Sequence, residues 1–511
     1  MSMGRKAALF IARQILEGRG DLEALKREAA KKYKLSEFPK NSEVMAAIPK
    51  AKRTKEIVLL LRKRPMRTLS GVTPVALMVR PEGSCKWNCI YCPFTGKAPK
   101  SYTGEEPAAL RARQGGFGPE RQVRLRLGHF AETGHPTDKC EAIVMGGTFL
   151  AMPHGYKREF ILGMYEGFNR SKSRSIAEAK KKNEKAKHRV IGLTIETRPD
   201  ICGKKEIDEM LGYGATRVEL GVQNPSDRIY RLVNRGHGVE EVVHSTALLK
   251  DSAFKVCYHL MPGLPGSDGK KDIAMVKKVF GRQEFRPDML KIYPTLVMPG
   301  TGLHGMWRRG EYEPYSSEKA GKVIAEMYRH IPEYVRVMRV MRDIPAPEIG
   351  AGASRSNLRE IIEKELGPEG ARDIRSREIG AEKFPAEEAK LVRRDYRASG
   401  GKEVFLSYEW EGKLIGFMRL RIPHRPFRKE IAGHSALVRE LHVYGQEESI
   451  GKGRGKSQHR SFGAKLLAEA ECVAREEFDC RKMVIISGVG ARGYYYKFGY
   501  CPDGPYVSRK L

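Results

Sequence analysis

The chain has 511 residues, with 94 Lys and Arg against 62 Asp and Glu and a formal net charge of +32. Apolar content of 41% and charged content of 31% fit a soluble globular protein of two or three domains. No run of about 18 uncharged apolar residues occurs, which excludes a helical membrane span, and the basic start is too interrupted for a secretory signal. So large a cationic excess selects polyanions, nucleic acid before anionic membrane.

Residues 1–68 are rich in Lys and Arg and carry apolar residues at helical spacing, as in "DLEALKREAAKKYKL" and "KRTKEIVLLLRKR". They predict a basic helical arm, either a packing element or, as the charge favours, an RNA contact. From 69 to 345, short apolar stretches ("VTPVALMV", "EAIVMGG", "VIGLTIE", "RVELGVQ", "FKVCYHLMPG", "DMLKIYPT") alternate with helical ones. That alternation predicts βαβ units, about six, in a parallel sheet forming a partial or full barrel, with chemistry at the C-terminal strand ends. Residues 346–395 form a charged, less periodic bridge. From 396 to 511 the pattern changes to an antiparallel hairpin turning at Glu411-Gly412, a strand "RELHVY", a helix from Phe462, a strand "KMVIISG" and a Tyr-rich end. The fold class is α/β throughout.

Nine cysteines, without a secretory signal, point to a reducing, cytoplasmic setting and not to a disulfide framework. Three of them, Cys85, Cys89 and Cys92, follow the first strand within eight positions. Three thiolates can hold three irons of a 4Fe-4S cluster and leave the fourth open. Zinc is the competing ligand, but it usually takes four protein donors and no second Cys pair is nearby. Trp87, Ile90, Tyr91 and Phe94 are candidates for apolar cover.

The cysteine loop, with "MGGT" (145–148), "TIETRPD" (194–200), "ELGVQN" (219–224), "NRGH" (234–237) and "LMPGLPG" (260–266) in this order, resembles the radical-SAM superfamily. The resemblance implies S-adenosylmethionine on the open iron, cleaved to a 5′-deoxyadenosyl radical. It also implies cofactor or substrate contacts from Gly146, Gly147, Thr148, Glu196, Gln223 and Arg235. Downstream, "QHRSFGA" opening a helix resembles the pyrophosphate-binding signature of GNAT acetyltransferases, with Ser461 where that signature has its first glycine. There the resemblance implies acetyl-CoA, held by Glu440, Leu441, His442, Val443, Gln458, Phe462, Gly463 and Ala464, with a tyrosine hydroxyl from Tyr494 or Tyr495 near the thioester.

Both modules in this order resemble one family, the catalytic third subunit of Elongator. "SYTGEEPAALRAR", "LKIYPTLVMPGTGL" and "RELHVYG" look alike from about residue 60 onward. The family implies a tRNA-modifying enzyme that places a 5-carboxymethyl-type group on the wobble uridine of the anticodon stem-loop. It also implies Lys139 and Tyr495 as acetyl-CoA contacts, and a homodimer or Elongator-like subunits as partners. His259 and Lys291 stand at strand ends where they could line the radical site. Two departures are visible. The first cysteine spacing is shorter than usual, and "ARDIRS" (371–376) replaces a zinc-type cysteine cluster, so ion pairs or packing must hold that place. The alternative function is a protein lysine acetyltransferase with a structural cluster and Glu440 as base; a tRNA-binding protein without catalysis is a third.

Overall fold

The computed structural model describes residues 1–63, 71–83, 85–355, 357–367, 370–380, 382, 384–444 and 459–511. Helices Met3–Leu16, Leu22–Tyr33, Asn41–Ala47 and Lys55–Leu61 form the N-terminal unit. Ser2, Asp21 and Thr54 cap three of them by accepting backbone N–H groups that have no helical partner. Ile11, Ile15, Leu25, Ala29, Val44 and Leu61 close a small core of their own. The unit has its own core and meets the next domain where Arg62 Nε donates to the Gly134 carbonyl at 2.8 Å. The predicted limit at 68/69 lies outside the described residues.

Seven strands follow: β1 (Val72–Met78), β2 (Lys139–Met145), β3 (Arg189–Thr197), β4 (Arg217–Gln223), β5 (Lys255–Leu260), β6 (Met289–Ile292) and β7 (Arg336–Arg339). They pair in chain order, all parallel, as an open sheet and not a closed barrel. Six of these strands are the six read from the sequence. The seventh, β7, "RVMR", is too short and too charged to show as an apolar run. Alternation puts one set of strand side chains against the helices. Val75, Leu77, Ala142, Val144, Val218 and Val256 belong to that core, 0% exposed. The opposite set carries Lys139, Glu141, Glu196, Glu219, His259 and Lys291, which line a cavity.

The second sheet contains β8 (Lys390–Ala398), β9 (Gly401–Trp410), β10 (Lys413–Ile422), β11 (Ser435–Val443), β12 (Lys482–Ile485), β13 (Cys501–Asp503) and β14 (Tyr506–Lys510). Its order is β13-β14-β12-β11-β10-β9-β8, antiparallel except for β11 with β12. The β9–β10 turn is the expected one, with Glu411 and Gly412 both at positive φ (46° and 75°). β8 pairs with β9 along its whole length and starts at Lys390, inside the stretch read as the bridge. The bridge is also more ordered than its sequence pattern predicts. Leu358–Leu366 is a helix burying Leu358, Ile362 and Leu366 against helix Ser317–Tyr328. At "ARDIRS", Asp373 (1% exposed) accepts from the backbone N–H of Val337 and Arg375 and from Ser376 Oγ, while Arg372 pairs with Glu333. Hydrogen bonds to the buried Asp373 tie this stretch to β7, with one exposed ion pair beside them.

The two sheets meet across a buried ionic layer. Arg439 donates to Asp288 (2.7 and 2.5 Å) and Glu403 (2.8 Å). Lys250 lies 3.2 Å from Asp288, and Arg421 pairs with Asp251 and Glu403. Asp288, Lys250 and Asp251 come from the first sheet's connections, and Glu403, Arg421 and Arg439 from β9, β10 and β11. Loop 487–491 adds a second contact, packing its glycines on the backbone of β3.

Candidate active site

The cysteine loop leaves the end of β1 and is anchored by backbone. Ile90 N–H donates to Val233 O (3.1 Å) and Leu303 N–H to Ile90 O (2.8 Å). Lys100 Nζ ties the Trp87 carbonyl at 2.9 Å. Gly236, at φ 76°, is needed here, since a Cβ would stand 2.6 Å from the Trp87 ring. Cys89 is buried, and Cys85 and Cys92 are half-buried. Burial, with like charge from Cys89 and Cys85, pushes Cys92 up to about 12, so a bound metal must displace its proton. Tyr91 and Ile90 pack with Met261, Leu264 and Val297. Phe94 does not join them: it is 55% exposed, carried outward where the loop turns to solvent.

Whereas a structural zinc usually takes four protein donors, the donor set suits a multi-iron cluster: three thiolates on one loop are soft ligands for three irons. Beside them, Gly146 and Gly147 adopt φ 143° and 68°, and added Cβ atoms would meet Val79 at 2.3 Å and the Lys100 carbonyl at 2.9 Å. Thr148 Oγ1, Gln223 Oε1 and Arg235 Nε are buried without hydrogen-bond partners among the described residues. All three residues border the cavity, and each keeps one unpartnered polar atom buried behind that lining.

Glu196 accepts from Tyr102 Oη at 2.9 Å, and Lys291 lies 3.7 Å from it. Glu219, 1% exposed, accepts from His259 Nε2 at 2.8 Å and pairs with Lys291. Burial opposes both charges, but Lys291 holds Glu219 well below its ordinary range, and Glu219 holds Lys291 above its own. Lys291 is therefore a fixed cation. Glu219, Cys257 and His259 are the one grouping of metal-type donors within 4.8 Å among the described residues, but the Lys291 ammonium already sits on its carboxylate. Arg217, 2.6 Å from Glu141, and Lys255, 3.7 Å from Glu440, continue the charged row to the second sheet.

There β11 pairs with β12 only from Ser435 to Val438. Beyond Val438 the strands part, and Glu440, Leu441, His442 and Val443 present an edge to the cavity. Gly463 faces it from helix His459–Glu476, with room for nothing larger, since a Cβ would lie 2.8 Å from Tyr494 Oη. Tyr494 and Tyr495 stand edge to face, 5.2 Å apart. Lys139, half-buried at the start of β2, lines the same space, and burial lowers its pKa despite Asp138. Not every predicted contact arrives. The Phe462 ring is 1% exposed and packs on Phe384 and Tyr408, away from the cavity, because the helix turns it to the core. Ala464 lies off the lining, and Gln458 lies outside the described residues. One cavity of about 2180 Å³ reaches from Cys85, Cys89 and Cys92 to Gly463, Tyr494 and Tyr495.

Comparison with known proteins matches four family descriptions in order: ELP3 N-terminal domain (8–69), Radical SAM superfamily (81–278), Radical_SAM C-terminal domain (287–367) and Acetyltransferase (GNAT) family (371–500). The tRNA uridine(34) acetyltransferase of Methanocaldococcus infernus is 45% identical over 96% of this chain and 95% of its own. Elongator complex protein 3 of Homo sapiens is 42% identical over 96% and 93%. The chain belongs to the Elongator protein 3 family. A solved archaeal Elp3 from Methanocaldococcus infernus, lacking residues 1–46, superposes with a TM-score of 0.78, 44% identity and coverage of 87% and 100%. The sheets described above are thus the radical-SAM and GNAT folds of this family.

Sequence reading missed Arg198, Arg217, Glu219, Lys255 and Tyr102 of this family member. The signal was available: Arg217, Glu219 and Gln223, or Lys255 and His259, recur at even spacing in strands otherwise apolar.

His442 makes a pH prediction. Its ring packs on Tyr444 (4.4 Å) and Phe417 (6.0 Å), and Nε2 is buried without a partner among the described residues. Burial pushes the imidazole down to about 4, with Arg336 and Lys255 adding and Glu440 opposing. Below pH 6.5 the unfolded chain takes up a proton that the native site refuses until about pH 4. Stability is therefore lost as pH falls through that window. In urea titrations at pH 7 and pH 4.5, His442→Gln is expected to reduce the acid loss by about 1–2 kcal/mol after screening.

Proposed function

We propose that this Elongator protein 3 family member is a tRNA-modifying enzyme that uses SAM and acetyl-CoA to install a 5-carboxymethyl-type group on wobble uridine 34. The observation that carries the reading is the single cavity joining the three cysteines to the parted β11 edge. Cys85, Cys89 and Cys92 would hold a 4Fe-4S cluster, and Gly146 to Thr148 with Gln223 would receive SAM. Bound there, the cluster and SAM would supply one-electron cleavage of SAM and so a radical able to take hydrogen from a methyl group.

The chain's own residues do the rest. Gly146 and Gly147 let backbone approach a ligand closely. The Glu440–Val443 edge offers backbone hydrogen bonds to an extended pantetheine arm, and Gly463 keeps the space below Tyr494 open for the thioester end. Lys291, paired with Glu219 and 3.7 Å from Glu196, is a fixed charged group on the cavity wall. Arg336, Arg339 and Arg342 border it from β7 onward, with Lys139 and Arg189 opposite, which suits an anionic RNA loop entering between the sheets. The acetyltransferase-only alternative is disfavoured at its base. Burial alone would raise the Glu440 pKa, but Lys255 and Arg419 (2.9 Å) overcome it and hold the carboxylate below its ordinary range. An anion so paired is a weak proton acceptor.

The relatives named as Elongator complex proteins support association with other subunits, and a reducing, cytoplasmic setting suits an oxygen-sensitive cluster. Among the described residues no helix is long and apolar enough to cross a membrane.

The test is 5′-deoxyadenosine release under anaerobic, reducing conditions with SAM, acetyl-CoA and tRNA. The intact chain is expected to bind iron and sulfide and release deoxyadenosine. Cys89→Ala is expected to lose both while keeping acetyl-CoA binding. Deoxyadenosine release undiminished in Cys89→Ala, or none from an iron-loaded intact chain, refutes the reading.

A further inference from the structure

Two guanidinium groups converge on one of the three cysteines. Arg198, 2% exposed, follows β3 directly, and Arg235, 5% exposed, comes from the loop after helix Asp227–Leu232. Arg235 Nη1 lies 3.6 Å from Cys89 Sγ and Arg198 Nη1 lies 3.9 Å from it. Among the described residues no arginine or lysine donates in this way to Cys85 or Cys92.

Both groups are fixed before any ligand arrives. Asp200 grips Arg198 through two hydrogen bonds (2.9 and 3.2 Å), the Arg235 carbonyl accepts from its Nη2 at 2.6 Å, and the Trp87 ring lies 4.0 Å beneath it. Arg235 Nη2 donates to the Gly221 carbonyl. Their charge balance differs. Arg198 has its carboxylate. Arg235 has no carboxylate within ion-pair distance among the described residues. A buried cation without a counter-anion is unfavourable, and the sulfur of Cys89 is the ligand atom that Arg235 faces.

We propose that Arg198 and Arg235 are the counter-charge of the Cys89 thiolate and, through it, set the electron affinity of the cluster that the three cysteines would hold. This rests on the cluster assignment above. The step concerned is the transfer of one electron from a low-potential donor to the oxidised cluster, with no bond made or broken. The added negative charge falls beside two fixed cations and two N–H···S contacts, both of which favour the reduced state. Arg198 and Arg235 are positioning residues in this sense, acting on the cluster through its ligand.

The experiment uses the full chain loaded with iron and sulfide, titrated with dithionite while the EPR signal of the reduced cluster is followed, without SAM or RNA. Arg198→Gln and Arg235→Gln are each expected to load iron like the wild type but to be harder to reduce, Arg235→Gln the more so, by tenfold or more in the one-electron equilibrium, a shift of about 59 mV toward negative potential. Arg198→Lys, which keeps the charge, is expected to recover part of it. If Arg198→Gln loads poorly, recovery of loading in Arg198→Lys supports the charge role, and failure to recover overturns it. A midpoint in Arg198→Gln equal to wild type also overturns it. A wild-type chain that takes up no iron overturns the cluster assignment first, and this inference with it.

Discussion

Replacing Arg439 with leucine is expected to cost about 3–5 kcal/mol, the range for removing one member of a buried ionic group. Arg439 is fully buried, and its guanidinium satisfies both oxygens of Asp288, one oxygen of Glu403 and the Phe254 carbonyl. Leucine fills part of the volume but leaves two carboxylates facing each other with Lys250 as their nearest remaining cation from the first sheet's side. Because Asp288 belongs to the radical-SAM sheet and Glu403 to the GNAT sheet, the loss falls on the contact between them. A shift of the urea midpoint to lower concentration is the readout, with faster limited proteolysis between the sheets as a second. Arg439→Lys is expected to lose less, since it keeps charge but forfeits the fork that meets both oxygens of Asp288. An Arg439→Leu protein as stable as wild type refutes the ionic layer as a source of cohesion.

The second large effect is expected at Gly488. A Cβ built there stands 2.0 Å from the Ile191 carbonyl oxygen and 2.2 Å from its carbon. Those atoms are strand backbone and cannot rotate aside. Gly488→Ala therefore has to move the loop that leads into Tyr494 and Tyr495, at a cost of about 1–3 kcal/mol or more. The expected signature is divided: acetyl-CoA affinity falls at least tenfold while iron uptake at the cysteines is unchanged. Gly212→Ala is the control. Gly212 is exposed on helix Lys204–Tyr213 with nothing within 4 Å of an added Cβ, so alanine there is expected to stabilise by up to about 1 kcal/mol. Unchanged acetyl-CoA affinity in Gly488→Ala refutes the role given to this contact.

What the sequence disclosed follows from how locally each feature is encoded. The six apolar strands, the Glu411-Gly412 turn and the three cysteines each lie within a few consecutive residues, and each was legible. β7 was not, because a four-residue strand flanked by arginines has no apolar run to show. The helix Leu358–Leu366 was hidden by charge on its outer face. Phe94 and Phe462 show the same limit: the sequence puts one beside the cysteines as apolar cover and the other among the acetyl-CoA contacts, yet loop and helix geometry turn the first ring to solvent and the second to the core. The pairings of Arg198 with Cys89, Lys291 with Glu219 and Arg439 with Asp288 join residues far apart in the chain, and no spacing rule announces them.

The ionic layer between the sheets has a consequence for how this protein can be divided. Cut between the two folds, either fragment would expose charges whose partners lie on the other: Asp288 and Lys250 on one side, Glu403 and Arg439 on the other. The two folds then behave as one cooperative unit, and a truncation meant to isolate either is expected to destabilise the piece it keeps.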